Sequence, residues 1–380
     1  MIITFILLFI PNVLTDTKII SIPYTLAFHR PSIQSSFNSN NDNINIFLNT
    51  FLPFTIVQES YYEKMTREWK VHHEVSLHLH EVVRVSHFKT NLETSAFFIS
   101  GMSIYVAKNN VWYPDRGLGL GYKFDDEEFS LVHYLYNNKM IGNKVFAFEY
   151  LNEDNGTFYL GGVENDKHLE MRYKGECDVD ETFERWGCNL TKIKFNNKEY
   201  KFNNFALFHS TFYGKIYSNG LFDFLVTNVF AEEIKNQTCY TEGIAESRYA
   251  MRCKRRFKDL DIYNSTIKFY FNRLMIEYPI KDLFEPYGLG DLKSFFYTNP
   301  YDYYKDYDII FSVHFLRNFN YTVFNYETKR VGFYSDIIRI NTLDVSEHRE
   351  IIKVISSMIV IMLICNIIIV IYIKIKNRNI

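Results

Sequence analysis

Apolar and polar positions alternate along much of this chain. From Val75 to Val85 every second residue reads Val, Leu, Leu, Glu, Val, Val, the period-two signature of a half-buried strand. Comparable runs predict strands at Ile44–Asn49, Phe54–Val57, Val71–Ser86, Ala96–Val106, Val145–Leu151 and Thr157–Leu160. Further runs follow at Ile193–Phe195, Lys201–Phe208, Ile267–Phe271 and Tyr321–Tyr334. Two stretches change character. Phe129, Val132, Leu135 and Tyr136 line one face of a helix predicted over Glu127–Asn138, and a second helix is predicted near Gly220–Ile234. SSFNSNNDN at 35–43 reads as a loop and Asp336–Lys353 as a short stalk. There is no repeat of fixed period and no heptad pattern.

Composition supports a mainly-β chain. Of 380 residues 18% are aromatic, with 35 Phe and 29 Tyr against 8 Pro, and aromatics favour strands. The length suffices for one large core or two linked ones. With 42 basic and 44 acidic side chains the net charge is −2, which gives no reason to expect a nucleic-acid partner.

Both ends carry membrane signals. IITFILLFI at 2–10, followed by Pro11 and Val13-Leu14-Thr15, reads as a signal peptide over 1–15. Residues 354–373 carry no charge and are followed by Lys374, Lys376 and Arg378. They predict a transmembrane helix with a cytoplasmic tail at 374–380, giving a single-pass membrane protein whose bulk is lumenal or extracellular. Cys365 lies inside that span. The other cysteines form two local pairs, Cys177 with Cys188 and Cys239 with Cys253, although sequence alone leaves three pairings open. Sequons at Asn155, Asn189, Asn236, Asn264 and Asn320 suit the same oxidising compartment.

Five segments, in order, carry a family resemblance: LNTFLPFTIV at 48–57, DRGLGLG at 115–121, VFAFEYLNEDNGTFYLGGVENDKH at 145–168, FALFHSTFYGKIYSN at 205–219 and FLRNFNYTVFNYETKRVGF at 315–333. Together they resemble the pepsin-like aspartic proteases. The third and fifth are specific; the first and fourth become visible only beside them. The resemblance implies a bilobal pepsin-like (acid protease) β-barrel fold with a few short helices. The lobes would be 16–165 and 166–338, and a stalk at 339–353 would lead to the membrane helix. It also places the Cys239–Cys253 pair where the family's second lobe has its disulfide.

In this family one Asp from each lobe, in an Asp-Thr/Ser-Gly turn, shares a proton with its partner to activate water. The matching positions here are Asn49, followed by Thr50 and Phe51, and His209, followed by Ser210 and Thr211. The hydroxyls persist, while both acids and both glycines are replaced. An Asn amide has no proton to share, a His opposite it has no acid partner, and a Phe at 51 would crowd the turn. The family's LGD has become Phe311-Ser312-Val313, no Gly occurs between Trp69 and Asn91 where a flap tip belongs, and the stretch before Ile44 is too short for a typical prosegment plus a first strand. These departures imply an inactive homologue that binds a peptide or protein in its cleft. The alternative is an active aspartic endopeptidase with a misaligned first motif, but Asp42 and Asp115 are not followed by Thr-Gly or Ser-Gly.

Other chemistry is thinly represented. His73-Glu74 with His78 is one residue too long for a zinc HExxH motif, and His78 with His80, like His72 and His87, fits a strand face. No metal and no cofactor is expected. Lys254-Arg255-Arg256 reads as a solvated loop.

Overall fold

The computed structural model describes residues 18–27, 30–37, 44–58, 72–78, 81–107, 116–122, 130–211, 216–244, 248–298 and 309–343. The signal segment, Asp42, His80 and Asp115 lie outside them. One compact unit spans Met1–Asn341, and a second, Thr342–Ile380, lies almost wholly outside the described residues.

The alternating runs are strands of two large sheets. Six antiparallel strands form the middle of the first, in the order Tyr173–Asp178, Arg330–Ser335, Tyr321–Asn325, Val145–Tyr150, Asn155–Leu160 and Ile20–Ala27. Three lie on each side of the lobe boundary expected at 165/166, and the two sides meet where Tyr321 pairs with Glu149 and Asn325 with Val145. From Ile20–Ala27 the sheet continues through Arg30–Phe37 and Ile44–Asn49 into the first half. The second sheet belongs to the second half, and its end strand is Arg339–Thr342, within the stretch expected as a stalk.

Strand Ile44–Asn49 has the predicted bounds, and the run 71–86 is the larger part of a hairpin, His72–His78 with Glu81–Thr94. Of the loop expected at 35–43, residues 35–37 belong to strand Arg30–Phe37, and 38–43 lie outside the described residues. Of the first predicted helix, Leu131–Asn137 is described, and it buries Leu131, Val132 and Leu135. The second begins at Asn219–Phe224, where the Ser218 hydroxyl accepts the Leu221 N–H as an N-cap. It then widens into a π turn over Leu225–Val229 before Ala231–Lys235.

The expected fold class needs one correction. Among the described residues no helix is long and apolar enough to cross a membrane. A span takes about 20 residues, and helix Leu131–Asn137 has 7. The span expected at 354–373 lies outside the described residues, and what those residues show is a mainly β, bilobal fold with no membrane-crossing helix among them.

Both cysteine pairs are disulfides, Cys177–Cys188 and Cys239–Cys253. The second joins directly opposed residues of the hairpin Cys239–Ile244 and Arg248–Cys253. Closing loops of this size contributes on the order of 3 kcal/mol each.

A layer of tyrosines packs on the middle sheet. Tyr159 and Tyr321 donate to the two oxygens of Glu149 at 2.7 and 2.6 Å, and Tyr334 donates to Glu176 at 3.1 Å. His168 stands edge-on to Tyr334, with ring centroids 4.7 Å apart, and its buried Nδ1 has no hydrogen-bond partner. Desolvation holds its pKa below the usual 6.5, outweighing Asp166 and Glu176; Lys174 acts in the same direction as burial. The unfolded chain therefore takes up this proton first as pH falls below about 6.5, and the stability associated with neutral His168 is lost toward acid pH. The variant His168→Phe is expected to show a smaller fall in Tm between pH 7 and pH 5 than the parent. Parallel melting curves check this, and an unchanged pH slope would refute it.

Candidate functional site

Asn49 and His209 end equivalent strands. Ile44–Asn49 runs parallel to Arg116–Gly119 with Asn49 opposite Gly119, and Lys198–His209 runs parallel to Ile309–Ser312 with His209 opposite Ser312. Each parallel pair is flanked by an antiparallel neighbour, Ile56–Gln58 on one side and Ile216–Tyr217 on the other. Gly119 is needed here, since a Cβ would lie 2.3 Å from the Phe54 carbonyl carbon. The following Leu120 N–H donates to the Asn49 carbonyl at 2.9 Å.

The residues after Asn49 and His209 tie the two turns together. Thr50 Oγ1 donates to the Phe208 carbonyl at 3.0 Å and accepts the Ser210 N–H at 2.9 Å. In mirror fashion, Ser210 Oγ donates to the Leu48 carbonyl at 2.5 Å and accepts the Thr50 N–H at 3.0 Å. All four bonds are buried, so each hydroxyl satisfies two backbone groups that water cannot reach. Thr50→Val should therefore cost about 1–3 kcal/mol, whereas Thr50→Ser should cost far less. Urea unfolding of the two variants distinguishes them; equal losses would contradict the assignment.

The side chains inside this frame are sealed. Asn49, Thr50, Phe51, His209 and Ser210 are all 0% exposed. Asn49 Oδ1 accepts the N–H groups of Phe51 and Leu52 at 2.9 and 3.2 Å. Its Nδ2 is buried without a hydrogen-bond partner, and a Cβ on Gly117 would sit 3.4 Å from it. His209 Nδ1 accepts the Thr211 N–H at 3.3 Å, which puts the ring proton of the neutral form on Nε2. The Phe51 ring lies flat against the imidazole, with centroids 4.8 Å apart and planes 5° apart. The Arg185 guanidinium sits over the Phe51 ring at 4.7 Å. Around Phe51 an apolar cluster draws Leu52, Phe54 and Tyr105 from the first half and Phe205, Tyr297 and Ile310 from the second.

The structure brings together Asn49, Thr50, His209 and Ser210, and adds Phe51 as a ring seated on His209. Arg185 was not foreseen, because a lone Arg beside Trp186 has no spacing that points to a site. Ser312 instead caps a short helical turn by accepting the His314 N–H. The side chains of strand His72–His78 lie outside the described residues. Among those that are described, no group of three or more His, Cys, Asp or Glu could hold a metal. Of the sequons, Asn155, Asn236 and Asn264 are exposed and Asn189 and Asn320 are half-buried.

A family model described as eukaryotic aspartyl protease matches residues 103–335. The match includes His209 and begins beyond Asn49. No curated protein matches the chain. Among solved structures, the crystal structure of an aspartic proteinase from Irpex lacteus is similar in fold. Its TM-score is 0.64 at 12% identity, covering 83% of this chain and 97% of that one.

Proposed function

The chain belongs to the eukaryotic aspartyl protease family, and from that premise we propose that it is a non-catalytic member. In this reading Asn49 and His209 hold the two positions at which the family carries its catalytic aspartates. One observation carries it: the Phe51 ring covers His209 within a site from which solvent is excluded. General acid–base hydrolysis needs a carboxyl pair sharing a proton over a water. An amide cannot accept that proton at any useful pH, and the stacked ring takes up space beside the imidazole.

The protein then works by binding. A peptide or protein partner meets the cleft or the lobe surface, and the shared hydroxyl frame keeps the two halves in register. The two disulfides support an oxidising, extracytoplasmic compartment. The test is incubation of purified protein with a peptide library at pH 3–6, with and without a statin-type transition-state inhibitor. No cleavage is expected; inhibitor-sensitive cleavage would restore the reading as an active aspartic endopeptidase. Retention of a peptide or protein partner on the immobilised chain tests the binding half of the proposal.

A further inference from the structure

Lined by none of the residues of the Asn49–His209 turns, a groove of about 330 Å³ opens at one end of the middle sheet. Its walls include Leu151 and Asn152 from the turn after Val145–Tyr150, Arg317 and Asn320 from the segment leading into Tyr321–Asn325, and Ile337 beyond Arg330–Ser335. Leu151 is 61% exposed and Ile337 79% exposed, in a fold that buries most of its large apolar side chains.

Asn320, itself part of the wall, starts the sequence Asn-Tyr-Thr. It is held at three points. Its N–H donates to the Tyr334 carbonyl at 2.9 Å, its carbonyl accepts the Tyr150 N–H at 3.0 Å, and Oδ1 accepts the Asp336 N–H at 3.0 Å. The Nδ2 group makes none of these bonds. Modification there leaves all three intact. By contrast Asn189, on a strand paired along both edges, has a buried Oδ1 without a partner.

We propose that Asn320 carries an N-linked glycan whose first sugars fold back into this groove and cover Leu151 and Ile337. The proposal rests on the extracytoplasmic reading above. In the attachment step one Nδ2–H bond is replaced by a bond to C1 of N-acetylglucosamine. The C1–oxygen bond of a lipid-linked pyrophosphate donor breaks, and the displaced proton leaves with that pyrophosphate. The groove suits the product. The sugar's C–H face matches the two aliphatic side chains, while its hydroxyl and acetamido groups meet the donors of Arg317 and Asn152. A covalently tethered ligand reaches its site at high effective concentration, so weak individual contacts suffice. The groove's size is within the roughly 300–1,000 Å³ usual for small-ligand sites.

The test uses the full chain expressed in a eukaryotic host that N-glycosylates, with intact mass, Tm and binding of a hydrophobic dye as readouts. Asn320→Gln should lose the mass of one glycan, raise dye fluorescence about twofold and lower Tm by about 1 °C, the scale of a sub-kcal/mol loss in a chain this long. Amidase treatment of folded protein, which leaves a carboxylate still able to accept the Asp336 N–H, should do the same. Trimming to a single N-acetylglucosamine should keep most of the protection. Asn155→Gln should lose mass without the other changes. In a Leu151→Ser/Ile337→Ser background, removing the Asn320 glycan should no longer change dye binding. An unmodified Asn320 overturns the proposal. So does loss of its glycan without a change in dye binding, or a change that persists in the Leu151→Ser/Ile337→Ser background. Peptide cleavage by the parent would undo the non-catalytic reading alone.

Discussion

Restoring both acids, as Asn49→Asp with His209→Asp, is expected to yield a protein that cleaves no peptide and is about 3 kcal/mol less stable than the parent at pH 7. One new carboxylate would inherit the N–H groups of Phe51 and Leu52 that now serve Asn49 Oδ1, and these favour its ionised form. The other would sit opposite it with no exposure to water, and like charge and burial both hold its proton on. Its folded pKa is therefore raised above its unfolded value of about 3.9. The sign follows: the variant is closest to the parent below about pH 4, and loses ground as pH rises through that folded value. Urea titrations at pH 4 and pH 7 with a peptide-cleavage assay check both halves. Cleavage by the double variant would mean that Phe51 does not block the site.

Trp186→Ala should be the most damaging single truncation of the core, at about 3–5 kcal/mol. Trp186 is 0% exposed, and its ring lies within 4.7–5.7 Å of those of Tyr326, Tyr122, Phe324 and Phe146. Its Nε1 donates to the Leu120 carbonyl at 2.7 Å, which the Tyr326 hydroxyl also meets at 3.0 Å. The cost reaches the central turns, because Leu120 also donates its N–H to Asn49. Trp186→Phe should recover part of the loss but not the hydrogen bond. Denaturant midpoints rank the three proteins, and a Trp186→Ala midpoint near the parent's would show that the site repacks.

The legible parts of this fold are those where local pattern and tertiary role coincide. Ile44–Asn49 alternates and is bounded by polar residues, and it was found at its observed length. Ile20–Ala27 and Arg30–Phe37 were missed because Pro23 and the Ser and Gln residues of RPSIQSSF break the period; their pairing comes from distant partners, Asn155–Leu160 among them. Cys239–Ile244 and Arg248–Cys253 were hidden similarly, and their disulfide and cross-strand pairs hold them. At the site, Asn49 and His209 were readable because each is followed by a hydroxyl residue in a recognisable frame. The seat of Phe51 on the imidazole was not, since ring stacking between residues far apart in sequence leaves no local trace. Nor was the role of Trp186, one of only 3 tryptophans, which have too few neighbours of their kind to show a pattern.

The seam at the middle of the molecule also sets a schedule for its synthesis. Glu149 and Tyr321, which meet there, are 172 positions apart in sequence. At translation rates of about 5–20 residues per second, the edge of Val145–Tyr150 waits roughly 10–35 s for its partner to leave the ribosome. During that interval it presents unpaired N–H and C=O groups flanked by Phe146 and Phe148, the kind of edge to which other nascent chains add strands. Pairing with Asn155–Leu160 covers only the opposite edge, so a growing chain with this topology needs a chaperone to shelter the waiting one until the last hairpin arrives.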